Sequence, residues 1–102
     1  MLSLNLHVQP QTEQKIKKIL TYTKDEETFA QSIIAYQIAE LQKGILNLNL
    51  DLKQFEEKYQ MPTEKFYQQF EQGVLDDNED FIVWAGIYEM LASNKQRLNE
   101  LR

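Results

Sequence analysis

The chain offers few groups with which to do covalent chemistry. His7 is its one histidine and cysteine is absent, so a single chain can assemble neither a nucleophile paired with an imidazole base nor a thiolate or multi-histidine metal site. Three glycines are scattered singly, which leaves no phosphate-cradling loop. The densest run of oxygen ligands is Asp76-Asp-Asn-Glu-Asp80, where Asp76, Asn78 and Asp80 match the first three positions of a calcium loop. The sixth position of such a loop needs glycine and here is Phe81, and the twelfth needs a bidentate glutamate and here is Ile87, so the loop fails. Capping of a following helix by Asp77 or Asn78, with acids placed at its positive end, accounts for the same residues. The expectation is a chain that is not an enzyme, with no cofactor and no metal, whose work is recognition.

Three sets of side chains are candidates for that work. The first is at the N-terminus, where MLSLNLHV alternates: Leu2, Leu4, Leu6 and Val8 are apolar, and Ser3, Asn5 and His7 lie between them. That period describes a strand with one buried and one wet face. No tight turn follows to fold it into a hairpin, so its partner is distant or belongs to another chain. The second set is acidic. Residues 1–50 hold five lysines against five acids, whereas residues 51–102 hold six basic side chains against eleven acidic ones, which is the entire net charge of −5. The third set is the aromatic stripe of Phe66, Tyr67, Phe70, Phe81, Trp84 and Tyr88. Such a stripe is core by default, and some of its rings become anchors when a partner is bound.

The elements that must position these sets follow from period and punctuation. Gln11 to Tyr22 places Ile16, Ile19 and Leu20 on one side of a short helix, and Pro10 suits its first turn. Thr23 and Glu26 have the spacing of a capping box ahead of a longer helix carrying Phe29, Ala30, Ile33, Ile34, Ile38 and Leu41, with Gly44 as its stop. ILNLNLDL, residues 45–52, alternates again and is the one intrachain candidate to pair with the N-terminal strand; otherwise it reads as a linker. Leu52, Phe55, Glu56 and Tyr59 begin a further helix, Pro62 and Thr63 open another that Gly73 closes, and a last helix aligns Phe81, Trp84, Ala85, Tyr88, Leu91 and Ala92. The fold class expected is mainly α, one strand followed by helices. A boundary at 44/45 separates an N-terminal domain, 1–44, from an acidic helical region, 45–102.

The order strand, short helix, capped longer helix over residues 2–43 resembles the ribbon-helix-helix family. That resemblance implies an intertwined dimer, in which the strand pairs with its copy and the helices of two chains close over the ribbon. It puts Leu4, Leu6, Val8, Phe29 and Ile33 in the dimer core, and Ser3, Asn5 and His7 on the face that enters the major groove of operator DNA. That face carries no Arg or Lys, and Asp25, Glu26 and Glu27 oppose phosphate at the start of the second helix, leaving Lys15, Lys17, Lys18 and Lys24 as the available cations.

The second half resembles another pattern. FEEKYQMPTEKFYQQFEQGVLDDNEDFIVWAGIYEML is similar to the C-terminal segment of small bacterial antitoxins of type II toxin-antitoxin modules, through Phe55, Lys58, Tyr59, Met61, Glu64, Phe66, Phe70, Gly73, Leu75, Asp77, Asp80, Phe81 and Trp84. The resemblance implies a C-terminal arm that wraps and silences a toxin, commonly a ribonuclease, while the N-terminal part dimerises and regulates its own operon. Glu71, Asp76, Asp77 and Asp80 would then be electrostatic contacts to a basic toxin, and Phe66, Phe70, Phe81 and Trp84 the anchors. Two other readings fit the residues: a transcriptional regulator without a toxin partner, and a purely structural homodimer. The lack of cysteine and of any long apolar run leads to the expectation of a soluble cytoplasmic protein with no membrane partner.

Overall fold

The structure, a computed structural model, describes all residues from Met1 to Arg102. It contains four helices: α1 Pro10–Tyr22, α2 Glu26–Tyr59, α3 Thr63–Glu71 and α4 Glu79–Leu101. The mainly α expectation holds, but no strand forms, and the N-terminal ribbon of a ribbon-helix-helix fold is corrected accordingly. Residues 1–9 have no regular structure. A strand exists as one side of a hydrogen-bonded ladder, and the only intrachain candidate for the other side, residues 45–52, lies inside α2.

That segment is helical for two reasons. Four of its five apolar residues are leucines, with Ile45 the one β-branched side chain, and leucine is among the better helix formers. The same letters also contain a helical set: Ile45, Leu48, Leu52, Phe55 and Tyr59 pack together on one side of α2. The expected stop at Gly44 and the linker after it are therefore both replaced by an unbroken helix of 34 residues. Gly44 sits where α4 comes close, since a Cβ built on it would lie 3.4 Å from the Asn94 side chain.

The chain divides into two compact units, Met1–Tyr36 and Gln37–Arg102, with the division inside α2 rather than after Gly44. The second unit holds the core. Leu52 from α2, Phe66 from α3, and Trp84, Ala85 and Leu91 from α4 are buried, with Phe55, Tyr59, Phe70, Phe81 and Tyr88 packed around them. Trp84 is wholly enclosed: Phe66 stacks on it with centroids 3.8 Å apart and planes 3° from parallel, while Phe55 and Tyr59 lie at 5.6 and 5.7 Å. Its indole Nε1 donates to the buried Thr63 Oγ1 at 3.0 Å, so the polar atom of the largest core residue is satisfied.

Thr63 also marks how α3 begins. Pro62 occupies the cap position and has no side-chain acceptor, and the Glu56 carboxylate, from the last turns of α2, takes the Thr63 amide at 2.8 Å instead. The intervening turn is tight. Gln60 stands at φ 51°, and the Met61 amide reaches back to the Glu56 carbonyl at 3.3 Å, closing α2 with a left-handed residue. At the other end of α3, Gly73 at φ 70° performs the closure expected of it.

The first unit has helices but no core. No residue of α1 is buried, and the only buried residue of α2, Leu52, belongs to the second unit. The start of α2 is capped by Asp25, whose Oδ1 accepts the Thr28 amide at 2.7 Å and is held below its ordinary pKa by that bond. Thr23 is not the cap its spacing to Glu26 indicated; its hydroxyl donates to the Leu20 carbonyl at 3.3 Å, at the end of α1.

Candidate partner-binding surface

The turn from α3 to α4 concentrates the carboxylates and half of the aromatic residues named from the sequence. After Gly73 the chain passes through Val74, Leu75, Asp76 and Asp77 to Asn78, which caps α4: its Oδ1 accepts the Asp80 amide at 2.9 Å. A cleft of about 290 Å³ lies here, with Phe70, Leu75, Phe81 and Ile82 as its apolar lining and Asp76, Asp77 and Asn78 as its polar one.

Beside it stands a small network centred on Asp80. One oxygen, Oδ2, accepts from Lys58 Nζ at 2.7 Å and from the Tyr59 hydroxyl at 2.5 Å, and Asn78 Nδ2 approaches the same hydroxyl at 3.4 Å. The hydrogen bond from Lys58, then that from Tyr59, holds the Asp80 carboxyl below its ordinary pKa. The same contacts push the Lys58 ammonium and the Tyr59 phenol above theirs. This network ties the end of α2 to the start of α4.

The site residues named from the sequence therefore fall into distinct groups. Phe66 and Trp84 are 1% and 0% exposed, so they hold the surface up from beneath and are not themselves offered to a partner. Phe70 and Phe81 are half-buried and line the cleft. Asp80 is engaged internally by Lys58 and Tyr59. Glu71, Asp76 and Asp77 are exposed and belong to neither of the chain's two ion pairs, Lys17–Glu13 and Lys58–Asp80. In the N-terminal unit, Ser3, Asn5, His7, Leu4, Leu6 and Val8 are all exposed, as is Ile33, while Phe29 is half-buried. With no ribbon to hold Ser3, Asn5 and His7 on one face, the groove-reading geometry expected of them is not formed. No group of three or more His, Cys, Asp or Glu side chains is arranged to hold a metal ion.

Two features escaped sequence reasoning. One is the pair Thr63 and Glu56, whose roles depend on the packing of α3 against its neighbours. The other is the outward side of α4, where Ile82, Val83 and Met90 are 65%, 51% and 55% exposed. A signal for it was present: from Phe81 to Asn94 the only charged residue is Glu89, so the helix is apolar nearly all round, more than one buried face requires. No helix is long and apolar enough to cross a membrane, so that apolarity is not a membrane span.

No protein-family model, no curated protein and no solved structure matches the chain.

Proposed function

We propose that the chain is an antitoxin of a type II module, which neutralises a basic, ribonuclease-type toxin through residues 45–102 by covering its active site. The observation that carries this reading is a set of exposed carboxylates with no cation beside them. Between Asp51 and Glu89 ten acids face three lysines, a net of −7, and the one ion pair in that stretch consumes Asp80 and Lys58. Glu71, Asp76, Asp77 and Glu79 are left exposed, and Asp76 and Asp77 line the cleft together with Phe70, Leu75, Phe81 and Ile82. A field of this sign raises the encounter rate with a positively charged partner and selects against nucleic acid. The antitoxin-like run from Phe55 to Trp84 supports the same assignment, because its aromatic members build the unit that holds these carboxylates.

The test is co-expression with the toxin this reading requires, a small basic protein encoded beside this chain that arrests growth when expressed alone. Wild-type chain restores growth, and a Glu71→Gln, Asp76→Asn, Asp77→Asn variant associates more slowly, with a weaker dependence on salt. Failure of the wild type to restore growth, or an unchanged association rate in the triple variant at low salt, overturns the reading.

A second copy of the chain is the partner assigned to residues 1–36. Ile19, Leu20, Ile33 and Ile34 are 46%, 41%, 47% and 39% exposed, and no residue of that unit is buried. This stretch has four lysines and four acids, so two copies approach without net repulsion. Light scattering should report a dimer for the wild type and a monomer for Ile33→Glu; a wild-type monomer at high concentration removes the assignment. Binding of operator DNA rested on the ribbon and is not carried forward.

A further inference from the structure

Gly86 is the position that α4 itself does not explain. A glycine inside a helix weakens it relative to alanine, and such a residue is tolerated where the backbone needs a positive φ or where another element comes close. Gly86 has no positive φ, and nothing lies within 4 Å of where its Cβ would be. Gly44, by contrast, faces Asn94 at 3.4 Å. The bare backbone at Gly86 is open to solvent, so the close approach it permits comes from outside the chain.

Its neighbours show what such an approach would meet. Successive helical residues turn by about 100°, so the sector opposite Trp84, Tyr88 and Leu91 holds Ile82, Val83, Gly86 and Met90. Scattered exposed apolar residues are ordinary, but a contiguous group on one helix face marks an interaction surface. Glu79 and Glu89 border this group, and no basic residue occurs between Asp80 and Lys95. The rim is thus negative, which disfavours pairing of the face with its own copy and disfavours nucleic acid.

We infer that the outward face of α4 is where the toxin docks, and that its occupant is an amphipathic helix of the toxin, crossing at Gly86 with its apolar ridge on Ile82, Val83 and Met90 and with Lys or Arg on its flanks. The inference deepens the antitoxin reading and rests on it. The carboxylates of the α3–α4 turn steer the partner, and the α4 face supplies the desolvated centre where side chains dominate binding energy. Gly86 allows the two helix backbones to come closer than any side chain would permit.

The experiment uses the full-length chain and the same small basic, growth-arresting protein purified separately, with affinity measured by calorimetry. Gly86→Gln fills the recess without adding charge and should not lower the melting temperature, because glutamine is the better helix former. Its affinity should fall about tenfold or more, as at a central interface position. Val83→Lys should produce a comparable loss, and Leu46→Ser, at an exposed apolar site on α2, should leave affinity unchanged. Wild-type affinity in both α4 variants overturns the docking face while leaving the antitoxin reading intact. Absence of binding by the wild type, with the toxin still active in its presence, overturns both. Self-association of the chain that Gly86→Gln abolishes would show a second copy as the occupant and overturn the choice of partner.

Discussion

Residues 1–36 and 37–102 are both helical with apolar faces, yet only the second unit encloses anything. Eight of the eleven aromatic residues lie in the second unit, and the three in the first are Tyr22 and Tyr36, which are exposed, and Phe29, which is half-buried. In the second unit three helical segments return on one another across two short turns, and flat rings fill the space between them. The first unit has α1, the beginning of α2 and an irregular N-terminus, whose aliphatic side chains have no third surface to close on. An amphipathic period specifies a helix and a face. It takes bulky side chains and a returning chain to turn that face into a core, and where these are missing the face stays exposed.

Truncating one side chain in each unit should separate the two most widely. Trp84→Ala removes the ring that Phe66, Phe55 and Tyr59 surround and should destabilise the second unit by about 3–5 kcal/mol, the usual cost of emptying a large aromatic site. Ile33→Ala in the dilute monomer should cost less than about 0.5 kcal/mol, as expected for an exposed position. Urea titrations followed by circular dichroism, which needs no tryptophan in the variant, would check both. Similar losses at the two sites would mean that the first unit has a core of its own.

Thr63→Val comes next in size. The substitution keeps the shape, removes the acceptor for the Trp84 indole, and leaves a buried N–H without a partner, at a cost of about 1–3 kcal/mol. The amide of residue 63 still donates to Glu56, so the start of α3 is preserved and the loss reports the indole bond alone. A urea midpoint unchanged from the wild type would show that the indole finds another acceptor.

The two units also differ in how far they could be read from the letters. In the second unit Pro62-Thr63, Gly73 and Asn78 each mark a helix end by local rules: α3 begins and stops, and α4 begins, where those residues indicate. The spacing of Phe81, Trp84, Ala85, Tyr88 and Leu91 gave the α4 core face, although Ala92 is exposed. Local rules failed where two periods share the same residues. ILNLNLDL is strand-like by alternation and helical by Ile45, Leu48 and Leu52, and what decided between them is the packing of those three residues in the second unit, which is not a local property. The helix that results leaves Leu46 and Leu50 exposed at 60% and 53%, the residue of the losing pattern. MLSLNLHV has only the alternating period, and with 45–52 helical it has no intrachain strand to pair with. The candidate site was legible in its charge and not in its geometry. Sequence could place Glu71, Asp76 and Asp77 in an acidic turn, but which aromatic residues face inward depends on three helices at once.

Glycine gives a smaller and opposite effect. Gly86→Ala should stabilise the second unit by about 0.5–1 kcal/mol, since the added methyl meets open space and the helix gains propensity. Gly44→Ala should gain less, because its methyl meets the Asn94 side chain. Urea midpoints would rank the two. An equal gain at both would mean that Asn94 moves aside freely, and a loss at Gly86 would mean that its recess serves the fold rather than a partner.

The smallest effect is confined to acid and separates the two units by titration. The folded state lowers the pKa of Asp80 through the hydrogen bonds from Lys58 and Tyr59, so the charged form is favoured in the folded chain. Its contribution is present above the ordinary carboxylate pKa, about 4, and is lost as pH falls through the depressed folded value. Lys58 and Tyr59 shift upward, so their contributions persist through neutral pH and are lost only above about pH 10. The difference in melting temperature between the wild type and Asp80→Asn should therefore be constant from about pH 5 to 8 and shrink below about pH 4. Asp25 has the same sign of shift, caused by the Thr28 amide at the start of α2. It caps a unit without a core, so Asp25→Ala should reduce helicity above about pH 4 and leave the cooperative transition of the second unit where it was. A shift of that transition in Asp25→Ala would show that the two units melt together and that the contrast between them ends at their static packing.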